Sequence, residues 1–304
     1  MSSTVRIVSY STGKDSTATA IKAMENFPKD RVIVVTADTG NEHEHTYRQI
    51  EVFERESGLK VHVVKADFSK KIIGKRKFIG KHWANHGVEE SHIKEALEIL
   101  KPTGNPFIDL CIWKGRFPSR MAQFCTQELK IYPLREFTEG LLDKYGWGSV
   151  ESWQGVRRDE SHKRKDALER EVVPEEGITI VRPIVEWSAQ QTVDYIKEKG
   201  FSLNPLYSEG MDRVGCMPCI NSKKGEIAQI AKRFPDHVDK IRRWEHLVAL
   251  ASKWGAATFF APLNGNIADI DERVRWSFTK RGGKEVDESW DGPNLCESSY
   301  GLCE

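Results

Sequence analysis

Ser11, Thr12, Gly13, Lys14, Asp15 and Ser16 stand in succession just after the apolar run "VRIV". A small polar loop with a glycine and a lysine, entered from a strand and leaving into a helix, turns backbone N–H groups and a helix N-terminus toward an anion. The chemistry it fits is phosphate binding. It is not the Walker arrangement G-x-x-x-x-G-K-[ST]. The first glycine of that motif would fall on Val8, and Asp15 occupies the place of the Mg²⁺-binding hydroxyl. On these six residues alone, a strand-to-helix turn capped by Ser and Thr is the simpler reading.

A second chemistry lies in the cysteines. "RVGCMPCI" sets Cys216 and Cys219 two residues apart, and the tail "NLCESSYGLCE" adds Cys296 and Cys303. Such spacing chelates a metal or cluster iron, with two later thiolates completing four-coordination. A dithiol redox pair has the same spacing. Cys111, beside Ile112 and Trp113, reads as a buried apolar residue. Three ligand assignments stand open: Cys216, Cys219, Cys296 and Cys303 around a cluster; Cys125 with Cys216, Cys219 and Cys296, leaving Cys303 as a mobile thiol; or a zinc ion in place of a cluster.

The elements that must position these groups follow from periodicity. "VRIVSY", "RVIVVTAD" and "KVHVVKA" read as buried strands, separated by an Ala/Thr-rich helix and a polar helix from about His43 to Ser57. "VESWQGV" and "ITIVRPI" read as two later strands, and "TQELKIYPLREFTEGLLDKYG" as a helix around Pro133. Alternation of this kind predicts an α/β fold with a parallel twisted sheet and helices on both faces. Residues 80–110 read as an irregular insertion or lid. Beyond Asn204 the alternation stops, and two helical patterns (about 224–232 and 236–253) precede the cysteine-bearing tail. The expected division is a nucleotide-binding domain over 1–203 and a small helical, cysteine-bearing region over 204–304.

With these elements in view, Ser11 to Ser16 resembles the S-G-G-K-D-S "PP-loop" of the ATP pyrophosphatase and phosphoadenosine-phosphosulfate (PAPS) reductase superfamily, Thr12 replacing the first glycine. "TADTGNEHEHTY" resembles its D-T-G-x-E…T segment at Asp38, Thr39 and Gly40. "FPSRMAQFCTQELKIYPL" resembles R-x-C-T-x-x-L-K-x-x-P at Cys125, Thr126 and Lys130, with Arg120 earlier than the usual arginine. "WQGVRRDESHKR" matches G-x-R-x-x-E-S-x-x-R at Gly155, Arg157, Glu160, Ser161 and Arg164. "RPIVEWSAQQTVDYI" matches a P-I-x-x-W-[ST]-x-x-x-V segment, in which Trp187 reads as core. The G-C-x-x-C and late cysteines resemble the iron–sulfur members involved in DNA phosphorothioation, the DndC-like proteins.

The resemblance implies a PP-loop, Rossmann-like nucleotide enzyme. The loop would cradle pyrophosphate, Lys14 would neutralise phosphate charge, and Asp15 would hold Mg²⁺ or shape the loop. Asp38, Thr39 and Gly40 would lie beside adenosine at the carboxyl ends of the strands. Lys130, Gly155, Arg157, Glu160 and Arg164 would complete the nucleotide site, since guanidinium forks suit phosphate. Cys125 and Cys303 are the candidate catalytic thiols. Sulfonucleotide reductases usually lack the Lys-Asp pair and carry an E-C-G-[LI]-H tail; here Lys14-Asp15 is present and the tail reads "YGLCE". Both departures favour ATP cleavage to AMP and pyrophosphate, activating a substrate by adenylation for sulfur transfer. A sulfonucleotide reductase, with Cys303 as swinging nucleophile, and a non-catalytic iron–sulfur nucleotide sensor are the alternatives. The implied cofactors are ATP, Mg²⁺ and a 4Fe-4S cluster, with a sulfur donor protein or thiol reductant as partner.

The 304 residues suffice for a full core, and a formal charge of +1 argues against bulk electrostatic binding of nucleic acid. Local patches are another matter. "KKIIGKRKFIGKHW" (70–83) and "RVRWSFTKRGGK" (273–284) interleave cations with aromatics, so nucleic acid enters as a candidate substrate or partner. Neither a signal peptide nor a run approaching ~18 apolar residues is present, which gives the expectation of a cytoplasmic protein without membrane association.

Overall fold

Val5–Ser9 forms the first strand, β1, and all of it is buried, as a central strand covered on both faces must be. The computed structural model describes residues 4–145, 150–160, 164–262 and 268–280. After β1 come α1 (Lys14–Asn26), β2 (Val32–Asp38), α2 (Glu44–Ser57) and β3 (Val61–Lys65). A helical stretch follows: α3 (Ser69–His82), α4 (Glu90–Ile99), α5 (Pro106–Lys114), the short α6 (Phe124–Thr126) and α7 (Tyr132–Tyr145). The sheet then resumes with β4 (Val150–Trp153), β5 (Arg170–Val173) and β6 (Ile178–Val181), before α8 (Ala189–Glu198), α9 (Lys224–Arg233), α10 (Pro235–Leu250) and α11 (Ile270–Ser277).

The strands lie in the order β3-β2-β1-β4-β6-β5. All neighbours are parallel except the edge pair β5–β6. Side chains alternate across the sheet. Val8, Tyr10 and Val34 meet Ala20 of α1 and Phe53 of α2, while Ile7, Val35 and Ile180 meet Leu134 and Leu142 of α7. Helices thus cover both faces, as the α/β reading requires. The antiparallel β5 escapes periodicity because Arg170, Glu171 and Val172 are all exposed on the sheet edge.

The chain runs from β1 outward to β3 and returns to β4 on the other flank of β1. That reversal makes the crevice beyond the carboxyl ends of β1 and β4 the natural ligand position.

Residues 80–110 are not an irregular lid. Asn105 accepts from the N–H groups of Phe107 and Ile108 and Pro106 opens α5, a capping signal the apolar pattern obscured. One apolar cluster joins Ile72, Ile79, Leu100 and Leu110 to Ile241, Val248 and Phe259, so α3–α5 share a core with α10 and the chain beyond it. The segment before Pro133 is also unlike a plain helix. Gln127–Ile131 forms a π-helical turn, with Tyr132 N–H bonded to Gln127 O. A proline interrupts the regular ladder at this point and its ring crowds the preceding turn.

Candidate functional site

The loop between β1 and α1 is fixed by its own hydroxyls. Ser16 Oγ donates to Gly13 O at 3.0 Å, Thr17 Oγ1 donates to the same oxygen at 2.9 Å, and Ser11 N–H donates to Ser16 Oγ at 3.1 Å. Thr12 has φ +66°, the left-handed region where L residues are disfavoured, and it is buried. Asn204 Nδ2 donates to its Oγ1 at 3.2 Å, which holds the conformation. The turn delivers the N-terminus of the 13-residue α1 into the crevice, carrying the positive end of the helix dipole. Lys14 N–H donates to the hydroxyl of Tyr207 at 2.9 Å, and Lys14 Nζ sits 5.4 Å from the Tyr207 ring centre.

Asp15 lies under the loop, 1% exposed. Arg157 Nε donates to its Oδ1 at 2.7 Å. Its Oδ2 lies 3.9 Å from Lys14 Nζ and accepts no hydrogen bond among the described residues. An orphaned, buried carboxylate oxygen beside a lysine is a donor suited to Mg²⁺. Burial alone would lower the pKa of Arg157; the Asp15 carboxylate overrides this and holds it above its ordinary value. Gly155 permits the approach, since a Cβ there would stand 2.6 Å from Asp15 C and Ser16 N. Arg157 also donates to Asp159, and Arg164 to Glu160. Burial pushes the Glu160 carboxyl up, with Lys14, Asp15 and Arg157 all close enough to act on it. Ser161 lies outside the described residues.

Asp38 ends β2. Its Oδ1 accepts from Gly40 N–H and from Tyr47 Oη, both at 2.9 Å, and Lys65 Nζ is 3.4 Å from Oδ2. Burial, then the Glu42 and Asp38 carboxylates, drive the Tyr47 hydroxyl well above its ordinary pKa, so it donates here as a neutral phenol. Gly40 has φ +79°, and a Cβ would fall 2.6 Å from Asn105 Oδ1. Asn105 in turn donates to Gly40 O at 2.7 Å, tying this turn to α5.

The cysteine pair meets the same turn. Thr39 Oγ1 lies 3.5 Å from Cys216 Sγ and donates to Glu42 at 2.6 Å. Met217 N–H donates to Asn41 O at 2.7 Å, and Asn41 Nδ2 donates to Pro218 O at 2.8 Å. Burial pushes the Cys216 thiol up to about 12, against the pull of Lys130. Arg213 hydrogen-bonds Cys219 and feels the charge of both sulfurs, which holds its pKa above the ordinary value despite burial. A half-buried guanidinium near both sulfurs and a lysine near Cys216 suit a thiolate pair. Cys125 packs on the α3–α5 and α10 cluster, and its electrostatic neighbour is the fully buried Cys111. Cys296 and Cys303 lie outside the described residues.

The structure therefore gathers Ser11–Ser16, Gly155, Arg157, Glu160 and Arg164 at one place, and Asp38–Gly40, Cys216 and Lys130 at an adjoining one. Residues 205–217 bridge them, because Tyr207 shares an apolar cluster with Met217. Sequence reasoning left out Glu42, Tyr47, Asn204 and Tyr207. Glu42 and Tyr47 stand inside the quoted "TADTGNEHEHTY", where a glutamate and a tyrosine beside Asp38 could have been weighed. Nothing local marks Asn204 or Tyr207. Trp187 packs partly buried against Tyr195, as a core residue should. No helix among the described residues is long and apolar enough to cross a membrane.

A sequence model described as the phosphoadenosine phosphosulfate reductase domain matches residues 6–222. An uncharacterised 37.8 kDa protein of Escherichia phage 186 is 41% identical over 332 residues, covering 99% of this chain and 97% of that protein. An adenosine 5'-phosphosulfate reductase of Streptomyces coelicolor is 33% identical over 114 residues, 37% of this chain and 45% of that enzyme. An uncharacterised protein of Methanocaldococcus jannaschii is 28% identical over 80% of this chain, which spans 41% of its length. Among solved structures, the phosphoadenylyl-sulfate reductase of Candida auris aligns with a TM-score of 0.43 at 17% identity, covering 70% of this chain and 82% of that one.

Proposed function

This chain belongs to the phosphoadenosine phosphosulfate reductase domain family, and we propose that it is an enzyme that binds ATP at the Ser11–Ser16 loop and cleaves it to AMP and pyrophosphate. Cleavage activates an acceptor by adenylation, and sulfur then displaces AMP. The observation that carries this reading is Asp15. One of its oxygens is fixed by Arg157 and the other is left open beside Lys14, under a helix N-terminus. That arrangement suits Mg²⁺ and the β,γ-phosphates together. Asp15 Oδ2 would hold the ion, Lys14 and the α1 N-terminus would take up charge on the departing pyrophosphate, and both would act more strongly as that charge builds. Asp38, at the end of the next strand, and Thr39 and Gly40, in the turn that follows, would border the adenosine.

The donor set at Cys216 and Cys219 suits an iron–sulfur cluster or zinc, with Cys296 and Cys303 as the remaining ligands. This set is the one proposed here, in place of the one that includes Cys125. A cluster bound there would supply a site to hold or deliver sulfur. This chain's own residues do the rest: Arg213 and Lys130 balance thiolate charge, and Asn41 anchors the turn that carries both sulfurs.

A second reading is sulfonucleotide reduction, favoured by the Streptomyces relative named as an adenosine 5'-phosphosulfate reductase. One assay separates the readings. Protein purified without oxygen is given Mg²⁺-ATP, PAPS or adenosine 5'-phosphosulfate, with a thiol reductant, a sulfur donor and candidate acceptors. AMP and pyrophosphate are expected from ATP. Release of ADP overturns the loop assignment. Sulfite from either sulfonucleotide, with ATP untouched, establishes the reductase. Tight ATP binding without turnover under every condition leaves a nucleotide sensor.

A further inference from the structure

A groove of about 810 Å³ lies away from the loop, walled by α3, the end of α5 and residues 251–258. From α3, Lys71, Lys75 and Phe78 face it at the i, i+4, i+7 spacing of one helical stripe, and Gly74 leaves room between them. Lys75 forms the floor: its Nζ donates to Ile112 O and Ala251 O, each at 2.7 Å. Gly115 closes α5 there at φ +67°, where a Cβ would sit 2.9 Å from Ala251 O. Of the five cations that line the groove, Arg116 and Lys253 make no ion pair among the described residues and lie over the Phe124 and Trp254 rings at 5.5 and 5.7 Å, and no carboxylate is among the lining residues. Lys71 and Lys114 flank the Trp113 ring at 4.2 and 3.9 Å, and each also reaches Glu128 at 3.1 Å. Two rings stand in solvent at its wall: Trp254 is 84% exposed and Phe78 52%.

Exposed rings interleaved with cations in one groove are the combination that single-stranded nucleic acid uses, rings for its bases and cations for its phosphates. We propose that this groove binds single-stranded nucleic acid. Arg116 and Lys253 take the phosphates, Lys71 and Lys114 add positive field, and Trp254 and Phe78 offer stacking faces for bases. Stacking on an exposed ring requires a base free of its own partner, which selects single strands over duplex. The basic stretch 70–83 thereby acquires a role. In the companion stretch Arg273 is not available in this way, being buried between Phe260 and Trp276, and residues 281–284 lie outside the described residues. Glu128, which holds Lys71 and Lys114, belongs to the same π-helical turn as Lys130, the cation that acts on Cys216. Occupancy of the groove does not rest on what the loop does with ATP.

The test is fluorescence anisotropy of the full chain, without nucleotide, against labelled oligo(dT) and oligo(U) of about 12 nucleotides. A duplex of matching length and polyglutamate serve as competitors. Saturable binding to at least one single strand is expected, and the preference between the two identifies DNA or RNA. Raising salt from about 50 to 200 mM should weaken it, with a shallower salt slope in Arg116→Ala and Lys253→Ala. Trp254→Ala should lose about tenfold in affinity at an unchanged salt slope, and Trp254→Phe should restore most of it. Melting temperatures identify any variant that fails to fold, and the Trp254 pair decides the matter in that case. Absence of binding to both oligonucleotides overturns the proposal. So does equal affinity for duplex or polyglutamate, or wild-type affinity in a folded Trp254→Ala/Lys253→Ala variant.

Discussion

Arg157 Nε and Asp15 Oδ1 lie 2.7 Å apart, and both side chains are shielded from solvent, at 4% and 1% exposure. The guanidinium that a sequence reading would aim at a phosphate is already committed to the loop's own carboxylate. Its Nε orients Asp15 through one oxygen and leaves the second open, while its Nη1 donates to Asp159. Removing one member of such a pair strands a buried charge. Arg157→Ala should therefore cost about 3–5 kcal/mol in a urea titration. Asp15→Asn with Arg157→Gln should cost clearly less than the sum of the single changes. Strict additivity would mean that the pair is not coupled.

Thr12 sits where the PP-loop pattern has glycine, and its backbone is in the conformation that favours glycine. Thr12→Gly relieves about 1–2 kcal/mol of backbone strain and loses one hydrogen bond worth about 1 kcal/mol, so stability should change little. Thr12→Val keeps the strain and removes the acceptor for Asn204 Nδ2. It should be the less stable variant by about 1–3 kcal/mol. Thermal melts of the two, side by side, check the order.

Gly155 has an ordinary backbone, yet any Cβ there strikes backbone atoms of Asp15 and Ser16. Backbone cannot swing aside as a side chain can. Gly155→Ala should displace the loop and weaken binding of Mg²⁺-ATP at least about tenfold, a shift of about 1.4 kcal/mol. The control is Gly140→Ala in α7, where a Cβ meets nothing within 4 Å and the change should stabilise by about 0.5–1 kcal/mol. Calorimetric titration of both variants separates loop displacement from a general effect of alanine.

Much of this was legible in the sequence. Five strands announce themselves as apolar runs: β1, β2, β4 and β6 because they are largely buried, and the edge strand β3 through its valines. β3 is not the buried strand expected, His62, Val63 and Lys65 being exposed. The loop announces itself by a Gly-Lys-Asp cluster at a strand end. What was not legible is long-range. Asn204 and Tyr207 act on Thr12 and Lys14 from 192 and 193 residues away, and their own surroundings carry no trace of it. The role of Arg157 is of the same kind: its type shows that it binds an anion, but only the fold shows that the anion is Asp15. β5 was missed because an edge strand with exposed side chains has no apolar face to display.

His43 and His237 stack at 4.9 Å under the turn that carries the cysteines, each 6% exposed. Burial, then the neighbouring His237, lower His43 from 6.5 to about 4; burial and Lys240 lower His237 as well. Between about pH 6.5 and 4 the unfolded chain holds the proton that folded His43 refuses, so the unfolded state gains as pH falls. Stability is complete above about 6.5 and drops through that window, by up to about 3 kcal/mol from His43. His43→Asn preserves an acceptor for His45 N–H, which His43 Nδ1 now bonds at 3.0 Å. Urea midpoints at about pH 7 and about pH 5 should differ less in this variant than in the parent. An equal difference would assign the acid sensitivity elsewhere.

Burial opposes ionisation of Cys216, and it has Lys130 near it; Cys219 has Arg213. A thiolate pair there is sustained by those cations and, in the proposed holoprotein, by iron. Anaerobic preparations should contain iron and sulfide with a broad visible absorbance. Cys216→Ser and Cys219→Ser should each lose the iron, because cluster irons are held by thiolates. Cys125→Ser should retain it, since the proposed ligand set is Cys216, Cys219, Cys296 and Cys303. Arg213→Gln removes charge balance without removing a ligand, so it should lower iron occupancy only in part. Stoichiometric zinc without sulfide would replace the cluster by the zinc alternative. Loss of iron in Cys125→Ser with retention in Cys303→Ser would move the fourth ligand from the tail to the turn before α7.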